Sequence, residues 1–235
     1  MTDAYAEQLD GFSGSYRSAS RRASIACVLL GVVAFFALLA TVQAGSGLRM
    51  VDDLRSGMLI PSEAKEFRDS TALAGLSYLA ASLVTSIAFL AWLSRTVDNV
   101  PTLRAGRPLV TPGWAIGWWF VPFANLVKPY QIVRDLHDRL ATSISSGGGW
   151  IILAWWVSWV LGTVVSQIAI RLPVPTTPDP LSTLFSVQAL GYGLALLGAI
   201  LAIVVVLRIQ WRADERADSL GVRLARGRRW RQIPR

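Results

Sequence analysis

The sequence predicts an all-α, polytopic membrane protein. It would have four transmembrane helices, a proline-broken re-entrant or interfacial segment, and an amphipathic surface helix. Three observations carry this. Hydrophobic residues make up 53% of the chain and charged residues only 16%, against about 25% charged in a soluble domain. Uncharged runs span residues 23–48, 70–94, 108–127, 140–170 and 180–207. A soluble amphipathic helix shows a charged residue on its wet face every turn or two, whereas about 20 apolar residues cover the hydrocarbon core of a bilayer.

Taken in order, residues 1–22 read as a polar, mobile cytoplasmic tail. The first span is expected near 23–44, with Gly45, Ser46 and Gly47 ending it. Arg21 and Arg22 precede this run, and Val42-Gln43-Ala44 resembles a cleavage site. The apolar stretch is longer than the roughly 7–15 residues of a signal-peptide core, so it reads as an uncleaved anchor. Pro61 and Ser62 mark a helix start, with Glu63 in the first turn where the helix dipole favours an anion. That helix is expected to run into a second span near 71–93 and to stop before Pro101. Further spans are expected at 150–170 and 183–207, inside a membrane domain of residues 23–207. An arginine-rich tail follows over 208–235.

The stretch 113–128 is different. It is short for a span, and Pro122 interrupts its hydrogen-bond ladder. After Pro129, the residues Ile132, Val133, Leu136 and Leu140 share one face, with Arg134, Asp135, Asp138 and Arg139 opposite. That pattern over 129–142 predicts an amphipathic helix lying on the membrane surface. Basic residues test the topology, because cytoplasmic loops are enriched in Lys and Arg. With four spans and a cytoplasmic N-terminus, 18 basic residues lie inside and 5 outside. Letting 114–133 cross gives 15 against 7 at best. The expectation is therefore a multi-pass protein of a bacterial cytoplasmic membrane, with both termini cytoplasmic.

The run Trp92-Leu93-Ser94-Arg95, then Asn99, then residues 112–122 (PGWAIGWWFVP), then Asn125 and Pro129, resembles a bacterial integral-membrane family. That family is known as domain of unknown function 4328. The resemblance covers roughly residues 70–210 and is strongest over 92–130. It implies a multi-span membrane protein and supplies no reaction.

Several constellations are candidates for function. Trp92, Arg95 and Asn99 share a helix face at i, i+3, i+7. With Trp118, Pro122, Asn125 and Lys128 they form a candidate polar pocket, since polar groups at membrane depth line cavities or are buried in protein. The plainer reading makes the tryptophans interface anchors, pairs Arg95 with Asp98, and lets Lys128 snorkel. Trp211, Arg226, Arg228, Arg229, Trp230 and Arg231 are expected to contact an anionic lipid surface. Ser158, Gly162 and Ser166, and Gly191, Ala195, Gly198 and Ala202, form small-residue stripes for close helix packing.

No catalytic residue, cofactor or metal site is expected. The single histidine, His137, has no converging ligands, and the single cysteine, Cys27, excludes an intrachain disulfide. There is no Walker, GxGxxG, HExxH or GxSxG motif. The expected function is that of a non-enzymatic scaffold or interaction protein. A small channel, carrier or ligand-binding bundle is the alternative. The bilayer and its anionic head groups are the expected partners, with a protein partner or homo-oligomer in addition, and nucleic acid is not expected.

Overall fold

The computed structural model describes residues 12–58, 60–142, 147–171 and 177–221. Six α-helices occur among them: α1 Ser20–Arg55, α2 Pro61–Asn99, α3 Pro112–Gly117, α4 Lys128–Arg139, α5 Trp150–Arg171 and α6 Pro178–Ser219. No strand is present among the described residues. Four helices, α1, α2, α5 and α6, are long and apolar enough to cross a membrane. At 1.5 Å per residue, the 36 residues of α1 and the 42 of α6 reach about 54 and 63 Å, well beyond a hydrocarbon core of about 30 Å. Their apolar faces are left uncovered by the chain. Only 11% of the most apolar stretch of α2 is buried, which suits contact with lipid.

The chain forms two compact units. One comprises Val28–Ser86 and Ala154–Ile203, and its described helices are parts of the four long ones. Its helices pack through small residues and aromatic edges. Along α5 and α6, a Cβ on Gly191 would lie 3.1 Å from Ser166 Oγ, one on Gly162 would lie 3.3 Å from Leu194 Cβ, and one on Gly198 would lie 3.6 Å from the Trp159 backbone nitrogen. Residue numbers rise on one helix as they fall on the other, so α5 and α6 are antiparallel. The expected small-residue stripes face each other here, and the helices approach closely because nothing larger intervenes.

Phe67 meets Phe185 edge-on at 5.6 Å and Tyr78 meets Tyr192 at 5.4 Å, so α2 runs parallel to α6. It follows that α2 and α5 are antiparallel to each other. A segment 100–149 that crossed the membrane would have made them parallel. The four-span arrangement is therefore built into the packing.

The first helix does not stop at Gly45, Ser46 and Gly47, as the sequence suggested; it continues to Arg55. Glycine there serves packing. A Cβ on Gly47 would lie 2.8 Å from the Phe185 ring, closer than van der Waals contact allows. Gln43 Nε2 donates to Ser70 Oγ at 2.8 Å and to Thr71 Oγ1 at 3.2 Å, and Arg55 pairs with Asp179 at 2.6 Å. These contacts hold the extended helix against its neighbours.

The other unit comprises Met1–Cys27, Ile87–Leu153 and Val204–Arg235. Its core holds Trp92, Leu93, Val97, Val100, Leu103, Ile132, Leu136, Leu140, Ile152 and Ile209. Here α6 continues past residue 207 as helix to Ser219, so the first part of the expected tail is ordered structure. The apolar face of α4 differs from expectation too. Ile132, Val133, Leu136 and Leu140 are fully buried by protein, so that face does not lie on lipid. Hydrophobic periodicity registers that a face is covered, whatever covers it.

Candidate functional site

The seven candidate pocket residues and Trp211 lie in this second unit, but they fall into separate groups. Trp92 is fully buried. Its Nε1–H donates to Gln210 Oε1 on α6 at 3.2 Å, and its ring lies 5.4 Å from that of Phe89. Phe89 in turn meets Trp119 edge-on at 5.7 Å. Gln210 Nε2 donates to Asp214 Oδ1 at 3.0 Å, and Ser20 Oγ donates to the same carboxylate at 3.3 Å. Buried and half-buried polar groups thus tie α1, α2 and α6 together, each supplied with a partner.

Arg95 and Asn99 form a second group, and it faces the chain's own N-terminal segment. Arg95 Nη1 pairs with Asp98 Oδ2 at 3.1 Å. The same carboxylate accepts from Ser13 N at 2.8 Å and from Ser13 Oγ at 2.7 Å. Asn99 reads the backbone of Arg17 in both directions: Nδ2 donates to its carbonyl at 2.9 Å and Oδ1 accepts from its N–H at 3.2 Å. The described part of the N-terminal segment is therefore held in place. The expected loose tail is corrected to that extent, because the neighbouring side chains of Asp98 and Asn99 satisfy backbone groups that would otherwise need water.

Trp118 and Lys128 form a third group. The Trp118 ring lies 5.0 Å from Trp114, and Lys128 Nζ sits 5.5 Å from its centroid, a cation–π contact. Pro122 and Asn125 shape the intervening turn. Ala124 N donates to Pro122 O at 2.7 Å and Asn125 N to Val121 O at 2.9 Å. This closes a γ-turn on Phe123, whose φ is +62° and ψ −42°. Bulky residues rarely adopt that region. Its ring, at 87% exposure, and that of Phe120, at 74%, are left bare. The segment expected to be re-entrant or interfacial thus presents aromatic rings outward from a strained turn. Trp211 is exposed. Arg226, Arg228, Arg229, Trp230 and Arg231 lie outside the described residues.

The sequence reading missed one arrangement. Arg208, Arg212 and Arg216 recur every four residues on α6, and their guanidinium groups bind backbone carbonyls. Arg212, fully buried, donates through Nη1 to His137 O at 2.6 Å and through Nη2 to Gly147 O at 3.0 Å. Arg216 donates through Nε to Leu103 O at 2.9 Å, through Nη2 to Arg104 O at 3.0 Å and through Nη1 to Arg139 O at 3.3 Å. The last turn of a helix leaves carbonyls without intrahelical donors. At the end of α4, Leu136 O and Asp138 O accept from Leu140 N and Ala141 N. The alternate carbonyls, of His137 and Arg139, accept from α6. Cations at a helix C-terminus also suit its dipole. The four-residue arginine spacing was the available signal.

His137 is buried, with Nδ1 2.8 Å from Asp138 Oδ1. Burial pushes its pKa below the ordinary 6.5, and the nearby Arg212 and Arg208 add to this, against the opposing pull of Asp138. The unfolded chain then takes up a proton that the folded chain resists, so stability contributed by neutral His137 is present above 6.5 and is lost as the pH falls below it. The chain's denaturation midpoint should drop between about pH 7 and pH 5, and His137→Gln should flatten that part of the profile. An unchanged slope in the variant would count against this assignment.

The run of tryptophans, prolines and asparagines falls inside a family match. The family described as a domain of unknown function (DUF4328) matches residues 55–211. The chain belongs to this family. No curated protein and no solved structure matches it. The matched DUF4328 region takes in α2 to α5 and α6 as far as Trp211, so all seven candidate pocket residues lie inside it, whereas Ser13, Arg17, Arg212 and Arg216 lie outside.

Proposed function

We propose that this DUF4328 chain is a non-enzymatic scaffold or interaction protein of a bacterial cytoplasmic membrane, with both termini on the cytoplasmic side. The observation that supports it best is the docking of residues 13–17 on Asp98 and Asn99, with Arg95 paired to Asp98. The polar face that would have lined a pocket holds the protein's own backbone. Such contacts suit a fixed platform more than an open cavity. The arginine-rich composition of the ends agrees with cytoplasmic termini, because positive residues are retained on that side.

Trypsin offers a direct test, since it cleaves after Arg17. Asn99→Ala removes two hydrogen bonds worth about 1–2 kcal/mol together, so cleavage at Arg17 in folded, micelle-embedded protein should accelerate about five- to thirtyfold. Solute or ion flux in proteoliposomes should be the same with Arg95→Ala as without it. Flux that wild type supports and Arg95→Ala abolishes, with insertion intact, would replace the scaffold reading by a carrier.

A further inference from the structure

Three glycines precede α5, and three guanidinium groups converge on them. Gly147 and Gly148 have φ of +123° and +80°, where a side chain is strained. A Cβ on Gly148 would collide with the guanidinium of Arg208, and one on Gly149 with that of Arg134. Gly147 O accepts from Arg208 Nη2 and Arg212 Nη2, both at 3.0 Å. The chain therefore passes directly beneath two arginine forks.

The charge at this corner is unbalanced. Arg134 has Asp138 at 2.8 Å, bound through Nε. Arg208 has a carbonyl and, among the described residues, no ion-pair partner. Like charges brought together raise their mutual energy unless an anion joins them. The glycine stretch opens directly into α5, a 22-residue helix whose N-terminal end adds partial positive charge to that of the guanidiniums. Trp150, at 69% exposure, begins α5, and Trp211, at 54%, lies three residues beyond Arg208. Exposed tryptophans at the ends of apolar helices sit at the head-group level of a bilayer.

We infer that Arg134, Arg208 and the glycine stretch 147–149 form a binding site for a phosphate group. Planar guanidinium forks match phosphate oxygens in pairs, which a lysine does not. The phosphate belongs either to an anionic phospholipid head group or to a free phosphate species. The lipid source rests on the reading of this chain as a multi-pass membrane protein; the site itself does not.

The test uses the full chain in a non-ionic detergent, followed by thermal unfolding. Short-chain phosphatidylglycerol, the matching phosphate-free diacylglycerol, and inorganic phosphate at constant ionic strength are titrated separately. Phosphatidylglycerol should stabilise wild type and diacylglycerol should not. Arg208→Gln and Arg134→Gln should each weaken half-saturation about tenfold, as expected for loss of one charge-assisted hydrogen-bond pair. Neutralising Arg226, Arg228, Arg229 and Arg231 together should leave this response intact. An equal response to inorganic phosphate, lost in the same two variants, makes the ligand a free phosphate and keeps the site. Should Arg208→Gln fail to fold, the half-exposed Arg134 carries the test. The inference is overturned if wild type responds to neither phosphate form, or if both glutamine variants respond as wild type does. Loss of the response in the four-arginine variant alone also overturns it, while leaving a lipid-binding tail standing.

Discussion

Replacing Trp92 by alanine should destabilise the unit around it by about 3–5 kcal/mol, the usual cost of deleting a buried large aromatic. The indole is fully buried and packs on Phe89, so the vacated space has little means of collapsing. Its N–H also satisfies Gln210 Oε1. Trp92→Phe separates the two contributions: it keeps most of the ring and removes the donor, for about 1–2 kcal/mol. Adding Gln210→Leu to Trp92→Phe should cost less than the sum of the two single changes, because the orphaned acceptor is then removed as well. Denaturation in mixed micelles reads all three. An additive double variant would mean that the Trp92–Gln210 hydrogen bond contributes nothing.

Arg212→Met should cost about 2–4 kcal/mol. Two carbonyls, of His137 and Gly147, lose a charged donor, each bond being worth about 1.5–3 kcal/mol. Relief from burying a guanidinium offsets part of that. The damage should be local. The last turn of α4 and the chain just before α5 should lose protection from amide exchange, while the amides of α5 and α6 between residues 154 and 203 keep theirs. Arg212→Lys should fall between, since one ammonium cannot present two parallel donors to two carbonyls. A methionine variant with unchanged protection near His137 would show that water replaces the guanidinium there without penalty.

Much of the fold was legible because lipid imposes simple rules. Long uncharged runs located the four membrane-length helices, and Pro61 and Pro101 marked the two ends of α2 closely. Pro122 marked the place where the backbone turns. What stayed hidden depends on contacts distant in sequence. Gly47 looks like a helix terminator until Phe185 is seen against it. The apolar stripe of α4 reads the same whether lipid or protein covers it. Arg208, Arg212 and Arg216 count as three positive charges in any topology rule, yet two of them complete the end of another helix. Arg95 and Asn99 read as one polar face, but Arg95 pairs with Asp98, and Asp98 and Asn99 hold a stretch of unpatterned Gly, Ser and Tyr near the N-terminus. Nothing in its local composition announces a docking segment.

The hydrogen bond between Ser20 and Asp214 joins residues 194 positions apart, and that separation governs the order of assembly during synthesis. The N-terminal segment, the end of α2 and the amphipathic helix must all wait for the last turns of α6 to leave the ribosome. Until then Trp92 has no Gln210 and His137 no Arg212. A chain stalled before residue 204 would already contain all of the residues that pack between 28 and 203. It would still be unfinished, because the other unit would lack Gln210, Arg212 and Arg216.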